Sequence, residues 1–428
     1  MKLAPVAEIR DPVHGYIRMT EVEKELIDSP FVQRLRRVHQ LAGAYLVYPG
    51  ATHTRFEHVI GTMHVAGLIA EALVRGSELD PDLSQEVRIA ALLHDVGHGP
   101  FSHVYEEVLA GKSHEEISQR VILETSIRDI LERNGFSPKK MSEFAIGRQK
   151  SRDPFLNEII AGSLSADMMD YLPRDSYFTG VEYGKVDAQR VMNSLHIAGG
   201  HLVIDDAALY AFEALLLARY EMFKAVYFHR TVRAAELMLV RSMQLADRVL
   251  GLADLSDLSN YLELTDELVI HRLVTLDPST LDLKEARRLA MDFNDRRLVK
   301  CVFERVVQRK DEKVGLLFAA ESAREQTVAA IAKASGVDPG KLYLDVPTTP
   351  SVPYTYSKEV LKEVGLLRLE GNRKVVRAVP LSELSLVGSI AGFMDVLRVY
   401  TTQENRAAVE KATSRLFKDE AFVETLIK

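Results

Sequence analysis

A single cysteine, Cys301, stands in the 428 residues. One thiol excludes an intramolecular disulfide framework and any zinc or iron–sulfur site built on cysteine, which leaves His, Asp and Glu as metal ligands; it also fits a reducing, cytoplasmic setting. Positive charge is in short supply too: 54 Lys+Arg face 61 Asp+Glu, a formal charge of −7. That balance argues against a dedicated polyanion binder and leaves nucleic acid only a local basic groove, which nothing indicates. An apolar run of signal-peptide length is missing from the N-terminus, and the greasiest later stretch, around Ala207–Phe223, is broken by Glu213, Arg219 and Glu221. The expectation is a soluble chain with no membrane partner. Internal repeats and low-complexity tracts are absent as well. What is present is a globular composition, 47% hydrophobic and 27% charged, in a length that suits about two or three domains.

Helical periodicity dominates from about Glu21 to Ala334, with apolar residues at three and four spacings in Phe56–Leu73, Ser84–Leu93 and Ala207–Leu245. Ser113-His-Glu-Glu116 has the form of a capping box and predicts a helix starting there, whereas Ser84 is a weak cap. Just after His94-Asp95, the run VGHGPFS carries two glycines and a proline and must form a structured loop. Past Gly336 a stretch with four prolines, VDPGKLYLDVPTTPSVPYTY, reads as a boundary. Beyond it Lys374–Val379 and Asp395–Thr401 alternate like strands and Gln403–Phe417 is helical in pattern. The fold expected is mainly α: a helical domain over 1–335 and a small C-terminal α+β appendage over 336–428.

Of 13 histidines, His53, His58, His64, His94, His98, His103 and His114 crowd between positions 53 and 114. Any one alone is more often a satisfied or partly exposed side chain than a ligand, so the combination has to carry the argument. His94-Asp95 ends an apolar helix, where a bare carboxylate is costly unless paired or bound to a metal. Neighbouring helical residues diverge by about 100°, so further ligands must come from other helices, His58 in RFEHVIG and Asp167 in SADMMDYLPRD being the best placed by type. Two imidazoles and two carboxylates suit Zn²⁺, Fe²⁺, Mn²⁺ or Mg²⁺ with positions left open for water.

An upstream His, an adjacent His-Asp and a distant Asp resemble the signature of the HD-domain metal-dependent phosphohydrolases. Within that superfamily the chain is most similar to the deoxynucleoside triphosphate triphosphohydrolases. The blocks IRDPVHGYI, IDSPFVQRLRRVHQLAGAYLVYPGATHTRFEHVIG, ALLHDVGHGPFSH with SHEE after it, DMMDYLPRDSYFTG and RYEMFKAVYFHRTVR carry the likeness. The resemblance implies an HD-type helical core at about 50–180, a divalent metal on His58, His94, Asp95 and Asp167, general acid–base work by His103 and the His114-Glu115 pair, and His98 close to the phosphates. It implies phosphate-binding roles for Arg55, Arg219 and Arg230, a sugar pocket of Gln40, Leu41, Tyr171 and Asp175, and Tyr227 near the sugar or base. Asp28 and Arg36 match an allosteric nucleotide site built between subunits, implying a GTP or dNTP activator and a homo-oligomer, dimer or tetramer. Two positions depart from the family pattern: Met168 stands where a Lys or Arg commonly reaches the phosphates, and Phe223 replaces a base-proximal histidine. His64 lies about 240° round the helix from His58 and is expected to be structural. The implied activity is hydrolysis of dNTPs to deoxynucleoside and inorganic triphosphate. The alternatives are an HD-type reaction on another nucleotide or phosphoester, and a nucleotide- or nucleic-acid-binding regulator with an inactive site.

Overall fold

The computed structural model describes residues 4–109, 111–149, 153–309, 321–346, 348–350, 363–370, 373–387 and 393–418. Contacts divide the chain into two units that are not consecutive in sequence. The first takes residues 1–222, 251–271 and 352–389; the second takes 223–250, 272–351 and 390–428. A single cut near Gly336 therefore does not separate them.

In the first unit, β1 (Ala7–Asp11) and β2 (Gly15–Met19) form a hairpin. A series of helices follows: α1 (Glu21–Ile27), α2 (Pro30–Arg34), α3 (Arg55–Arg75), α4 (Leu83–Leu93), α5 (His103–Glu106), α6 (His114–Glu124), α7 (Ser126–Arg133), α8 (Pro138–Ala145), α9 (Pro154–Ile160), α10 (Ala166–Thr179), α11 (Ala188–Met192) and α12 (Leu209–Met222). Helix α3 is apolar nearly all round and is buried on most of its circumference, with Val59, Met63, Ala66, Ile69 and Ala70 inaccessible. Each such side chain contributes roughly 1–3 kcal/mol of transfer free energy. By length and composition α3 is also the one described helix that could cross a membrane; most of it is buried inside the protein. It overtakes the Ala207–Phe223 stretch in that respect. Its start is fixed by a capping box in which Glu57 accepts from the Thr54 backbone N–H at 2.9 Å. Helix α6 starts at His114 as expected, with the Ser113 hydroxyl accepting from Glu116 N–H at 3.4 Å; α4 is preceded by Asp82, and Ser84 lies inside it.

Two features interrupt the helical pattern. β3 (Leu195–Ala198) and β4 (His201–Asp205) form a short hairpin, continued by β8 (Glu363–Glu370) parallel to β4 and by β9 (Arg373–Pro380), in the order β3-β4-β8-β9. The Ala207–Leu245 pattern is not one helix: a π-turn at Phe223–Tyr227 follows α12, and α13 (Arg230–Leu250) begins after it. The short helix α14 (Leu258–Glu263) returns to the first unit, where α15 (Asp266–Val274) begins.

The second unit packs α13 against α16 (Leu281–Asn294), and places α17 (Glu321–Ser335) and α18 (Arg406–Leu416) beside a sheet ordered β5 (Lys300–Arg309), β10 (Phe393–Thr401), β6 (Leu342–Asp345), with β7 (Thr348–Pro350) also on β10. Val302, Ile331, Leu342, Val399, Val409 and Phe417 form its core. The strands expected at Lys374–Val379 and Asp395–Thr401 are both present, and the helix of Gln403–Phe417 runs from Arg406 after one 3₁₀ turn. Val346 and earlier residues of the proline-rich stretch are described; Pro347 and 351–362 lie outside the described residues.

Candidate metal and catalytic site

Three helices bring the expected ligands together. His58 stands one turn into α3, His94 caps the C-terminus of α4 with Asp95 beside it, and Asp167 lies in the first turn of α10, where the helix N-terminus favours a negative charge. Ligand atoms of His58, His94 and Asp167 lie within 4.8 Å of one another. His58 Nε2 is 3.1 Å from Asp167 Oδ1 and 3.6 Å from Asp95 Oδ2, and His94 Nε2 is 3.3 Å from Asp95 Oδ1 and 3.8 Å from Asp167 Oδ1.

Both imidazoles have their other nitrogen engaged. His94 Nδ1 donates to the Ala91 carbonyl at 2.7 Å, and His58 Nδ1 donates to Asp170 Oδ2 at 2.8 Å. This leaves each Nε2 lone pair aimed at the gap between the ligands, the arrangement metal-binding histidines use. His94 Nε2 is buried there without a hydrogen-bond partner. An orphaned acceptor facing two carboxylates is costly unless a cation fills the gap, so the donor set fits a divalent metal. Burial opposes a charge on His58, but the carboxylates of Asp167 and Asp170 raise its pKa to about 10; a cation would displace that proton. Asp95 is likewise buried, yet His94, Arg55 and His98 hold its carboxyl well below the usual range. Arg55, the first residue of α3, forms an ion pair with Asp95 and donates from Nε to Ser102 Oγ at 2.9 Å. Its guanidinium thus borders the gap.

A second cluster adjoins the first through Asp95. His98, His103, Glu106 and His114 place ligand atoms within 4.8 Å of one another, and Asp95 Oδ1 is 3.4 Å from His98 Nε2 and 4.0 Å from His114 Nε2. The rings of His98 and His114 stack at 3.9 Å. The carboxylate on His114 is Glu106, not Glu115: Glu106 Oε1 accepts from His114 Nδ1 at 2.7 Å and from His103 Nδ1 at 2.9 Å. Glu115, expected in that place, is the next residue along α6 and turns about 100° away, pairing with Arg148 at 2.7 Å. The sequence did hold a signal for Glu106, the His103-x-x-Glu106 spacing of one helical turn. Burial disfavours charge on His114, but Glu106 raises its pKa; burial and the Arg55 charge push His98 well down. The two stacked imidazoles are therefore set apart, one protonated more readily and one kept neutral. His103 is 69% exposed, open to whatever binds.

The loop carrying His98 is gripped from several sides. Tyr261 Oη donates to the Gly97 carbonyl at 2.7 Å, Arg34 Nη1 to the His98 carbonyl at 2.7 Å, and Asp266 Oδ1 accepts from Phe101 N–H at 2.7 Å. Phe101 and Ser102 both sit at positive φ, 58° and 57°, a conformation that persists only where surrounding contacts enforce it. Gly97 is needed for room: a Cβ there would meet Ser118 N at 2.2 Å.

Two of the expected sugar-pocket residues, Gln40 and Asp175, are linked through His53, a member of the histidine cluster to which the family resemblance assigns no role. His53 Nε2 bonds Asp175 Oδ1 at 2.8 Å, and its carbonyl accepts from Gln40 N–H at 3.0 Å. Gln40 is buried with Oε1 unpartnered, and Leu41 is half-buried. Tyr171 is half-buried and hydrogen-bonded to Arg219, itself 7% exposed; desolvation pushes the phenol pKa up. Tyr227 and Arg230 fall in the second unit, Tyr227 edge-on to Phe223 at 4.8 Å and Arg230 opening α13. Asp28 and Arg36 are exposed on the first unit: Asp28 caps the C-terminus of α1, 4.0 Å from Lys24, and the Arg36 guanidinium lies 3.5 Å from the centre of the Phe56 ring. Ser29 and Pro30 open α2 as a cap and first residue. Met168 is 1% exposed.

Residues 55–170 match the family model described as HD domain, and residues 186–421, more than half the chain, match that described as HD associated region. The chain is an HD-domain protein. Its relatives include MJ1154 of Methanocaldococcus jannaschii, 37% identical over 276 residues, 62% of this chain and 57% of that one. YwfO of Bacillus subtilis is 31% identical over 83% of this chain and 82% of its own. The deoxynucleoside triphosphate triphosphohydrolase SAMHD1 homolog of Dictyostelium discoideum is 31% identical over 70% of this chain and 60% of its own. The chain thus spans less than two thirds of the Methanocaldococcus and Dictyostelium proteins. Among solved structures, a protein from Aquifex aeolicus matches with a TM-score of 0.76 and 30% identity, covering 95% of this chain and 99% of that one.

Proposed function

We propose that this HD-domain phosphohydrolase is a dNTP triphosphohydrolase, releasing deoxynucleoside and inorganic triphosphate. The observation that carries the reading is the pair of adjoining clusters: a ligand set of two imidazoles and two carboxylates sharing Asp95 with a set of histidines on Glu106. Relatives that bear the dNTP triphosphohydrolase name support the choice of substrate. A divalent cation held by His58, His94, Asp95 and Asp167 would neutralise charge growing on the α-phosphate and lower the pKa of a water placed for attack. As water adds to the α-phosphorus, the bond to the 5′-oxygen breaks. His103, exposed and anchored by Nδ1 on Glu106, supplies the proton that the departing oxygen takes up, and His114 donates to the same carboxylate. His98, kept neutral, lies against them. Arg55 and Arg219 provide forked cations for the phosphates, while Gln40, Leu41, Asp175 and Tyr171 surround the sugar. A second reading, a mononucleotide or other phosphoester substrate, draws on Met168, an apolar residue where a phosphate-reaching cation is common in the family.

The test is product analysis. Each dNTP incubated with the protein and Mn²⁺, Fe²⁺, Mg²⁺ or Zn²⁺ is expected to yield deoxynucleoside and tripolyphosphate in equal amounts. Orthophosphate or pyrophosphate alone contradicts the reaction, and nucleotide binding without turnover under every metal favours a regulator. Asp167→Ala and the double change His94→Ala, Asp95→Ala should lose both metal and turnover with helical content kept; full occupancy in either variant shows the site to be misassigned.

A further inference from the structure

We propose that the N-terminal hairpin belongs to the metal-retaining apparatus, with His14 a positioning residue that fixes Asp170 and, through it, the ligand nitrogen of His58. The inference rests on the metal reading of the His58 cluster. Its starting point is the saturation of one carboxylate. Asp170 Oδ1 accepts from His14 Nε2 at 2.6 Å and from Arg174 Nη2 at 2.8 Å; Oδ2 accepts from Arg174 Nε at 2.9 Å and His58 Nδ1 at 2.8 Å. Asp170 and Arg174 are fully buried and His14 is 13% exposed. The guanidinium is bound in turn by the hairpin: Arg174 Nη1 donates to Asp11 Oδ2 at 2.8 Å, while Asp11 Oδ1 accepts the backbone N–H groups of Val13 and His14 at 2.9 and 2.8 Å. The turn that folds on Asp11 is thus the same turn that delivers His14 to Asp170.

The arrangement is poorly explained by stability. Buried charge networks roughly offset their own desolvation and are weak stabilisers, and the hairpin already has apolar anchors in Ile17 and Met19, both buried. What the network does supply is orientation. Asp170 is held by Arg174 through both oxygens and by His58 on Oδ2; His14 adds a donor from the hairpin to Oδ1, so its position is set by donors from three elements. Oδ2 then keeps the His58 ring in the one tautomer and angle that points Nε2 at Asp95 and Asp167. Outer partners of metal-binding histidines typically matter by about 10- to 100-fold in metal affinity, and His14 is one contact further out through a carboxylate that has no freedom to compensate.

The experiment measures Mn²⁺ affinity of the full-length, chelator-stripped protein by calorimetry, for wild type, His14→Ala, His14→Gln and Ile17→Val. His14→Ala is expected to weaken Mn²⁺ about 10-fold or more. His14→Gln, which keeps an N–H donor, should recover most of the loss. Ile17→Val loosens the hairpin's apolar anchor without touching the network, so it should lower Tm while leaving affinity within about twofold. The ¹⁵N signal of His58 gives a second readout: a protected Nδ1–H in wild type and His14→Gln, exchanging in His14→Ala. Unchanged Mn²⁺ affinity in a folded His14→Ala, or an equal loss in Ile17→Val, overturns the proposal while the metal reading stands. A wild type that binds no divalent cation overturns both. If His14→Ala does not fold, Asp11→Asn, which keeps the turn acceptor and removes the charge holding Arg174, takes its place with the same expectations.

Discussion

His114 and Glu106 form the contact on which the proposed chemistry turns. Glu106→Gln removes the charge that raises the His114 pKa, so the acidic-side change in protonation of His114 moves to lower pH and kcat falls by about 10²- to 10⁴-fold, as it should in His114→Ala, with metal still bound. Glu115→Gln, touching only the half-buried pair with Arg148, should change kcat by less than about threefold. Metal content and kcat against pH check all three variants; loss of metal in His114→Ala would make it a ligand. His64, expected from its helical phase to be structural, lies with its ring 5.3 Å from that of His14. Burial, with His14 and Arg88 beside it and Asp170 and Asp11 opposing, lowers its pKa to about 4. A histidine kept neutral in the fold binds fewer protons than in the unfolded chain between pH 4 and 6.5, so stability falls as pH drops through that window, by up to roughly 3 kcal/mol. His64→Gln should flatten Tm against pH between 4 and 6.5 relative to wild type. An unchanged slope there contradicts the assignment.

At the scale of elements, the site depends on how closely α3 and α10 approach. Gly61 is where they meet: a Cβ there would lie 2.0 Å from Asp170 Oδ1 and 2.2 Å from Arg174 Nη2. In an open helix position Gly→Ala stabilises by about 1 kcal/mol through propensity; here overpacking should reverse the sign, costing about 1–3 kcal/mol. Gly61→Ala is therefore expected to lower Tm and metal content together, measured by calorimetry and elemental analysis, and a raised Tm would show the helices free to part. Helices and strands were legible in unequal degree. The long apolar period of α3 and the Ser113 start of α6 follow from side-chain spacing and a capping hydroxyl, both local. The four- and five-residue strands β3 and β4 carry too few residues to show a period, and β4 is completed by pairing with β8, far along the chain. The break at Phe223–Tyr227 is invisible to periodicity because the residues on either side keep a helical apolar pattern.

For the whole molecule, regulation and assembly are the remaining proposals. Asp28 and Arg36 are exposed, and Arg36 already stacks on Phe56, next to Arg55 in α3. A nucleotide that bound them across an interface would favour the oligomer by mass action and couple to the site through α3. Hydrolysis of each dNTP should rise with GTP or a second dNTP, together with mass in light scattering, and Arg36→Ala should abolish both responses. Activity and mass indifferent to every nucleotide in wild type and Arg36→Ala alike would refute the regulatory site and leave the catalytic assignment untouched.

The sequence by itself determined the helical class and the residue types that gather at the site, because a metal demands lone pairs and only His, Asp and Glu were available to offer them. His58, His94, Asp95 and Asp167 were singled out by motifs that resemble those of the HD-domain phosphohydrolases. Tertiary structure decided the partners. Glu106 rather than Glu115 serves His114, His14 reaches Asp170 from the far end of the chain segment, His53 joins Gln40 to Asp175, and β8 pairs with β4, with β9 on its other side, instead of joining the C-terminal strands. Each of these choices is a distance of about 3 Å set by the crossing of helices, the turn of a hairpin or the register of strands distant in sequence. A local pattern records which face of an element is apolar and carries no record of which polar group will stand opposite it.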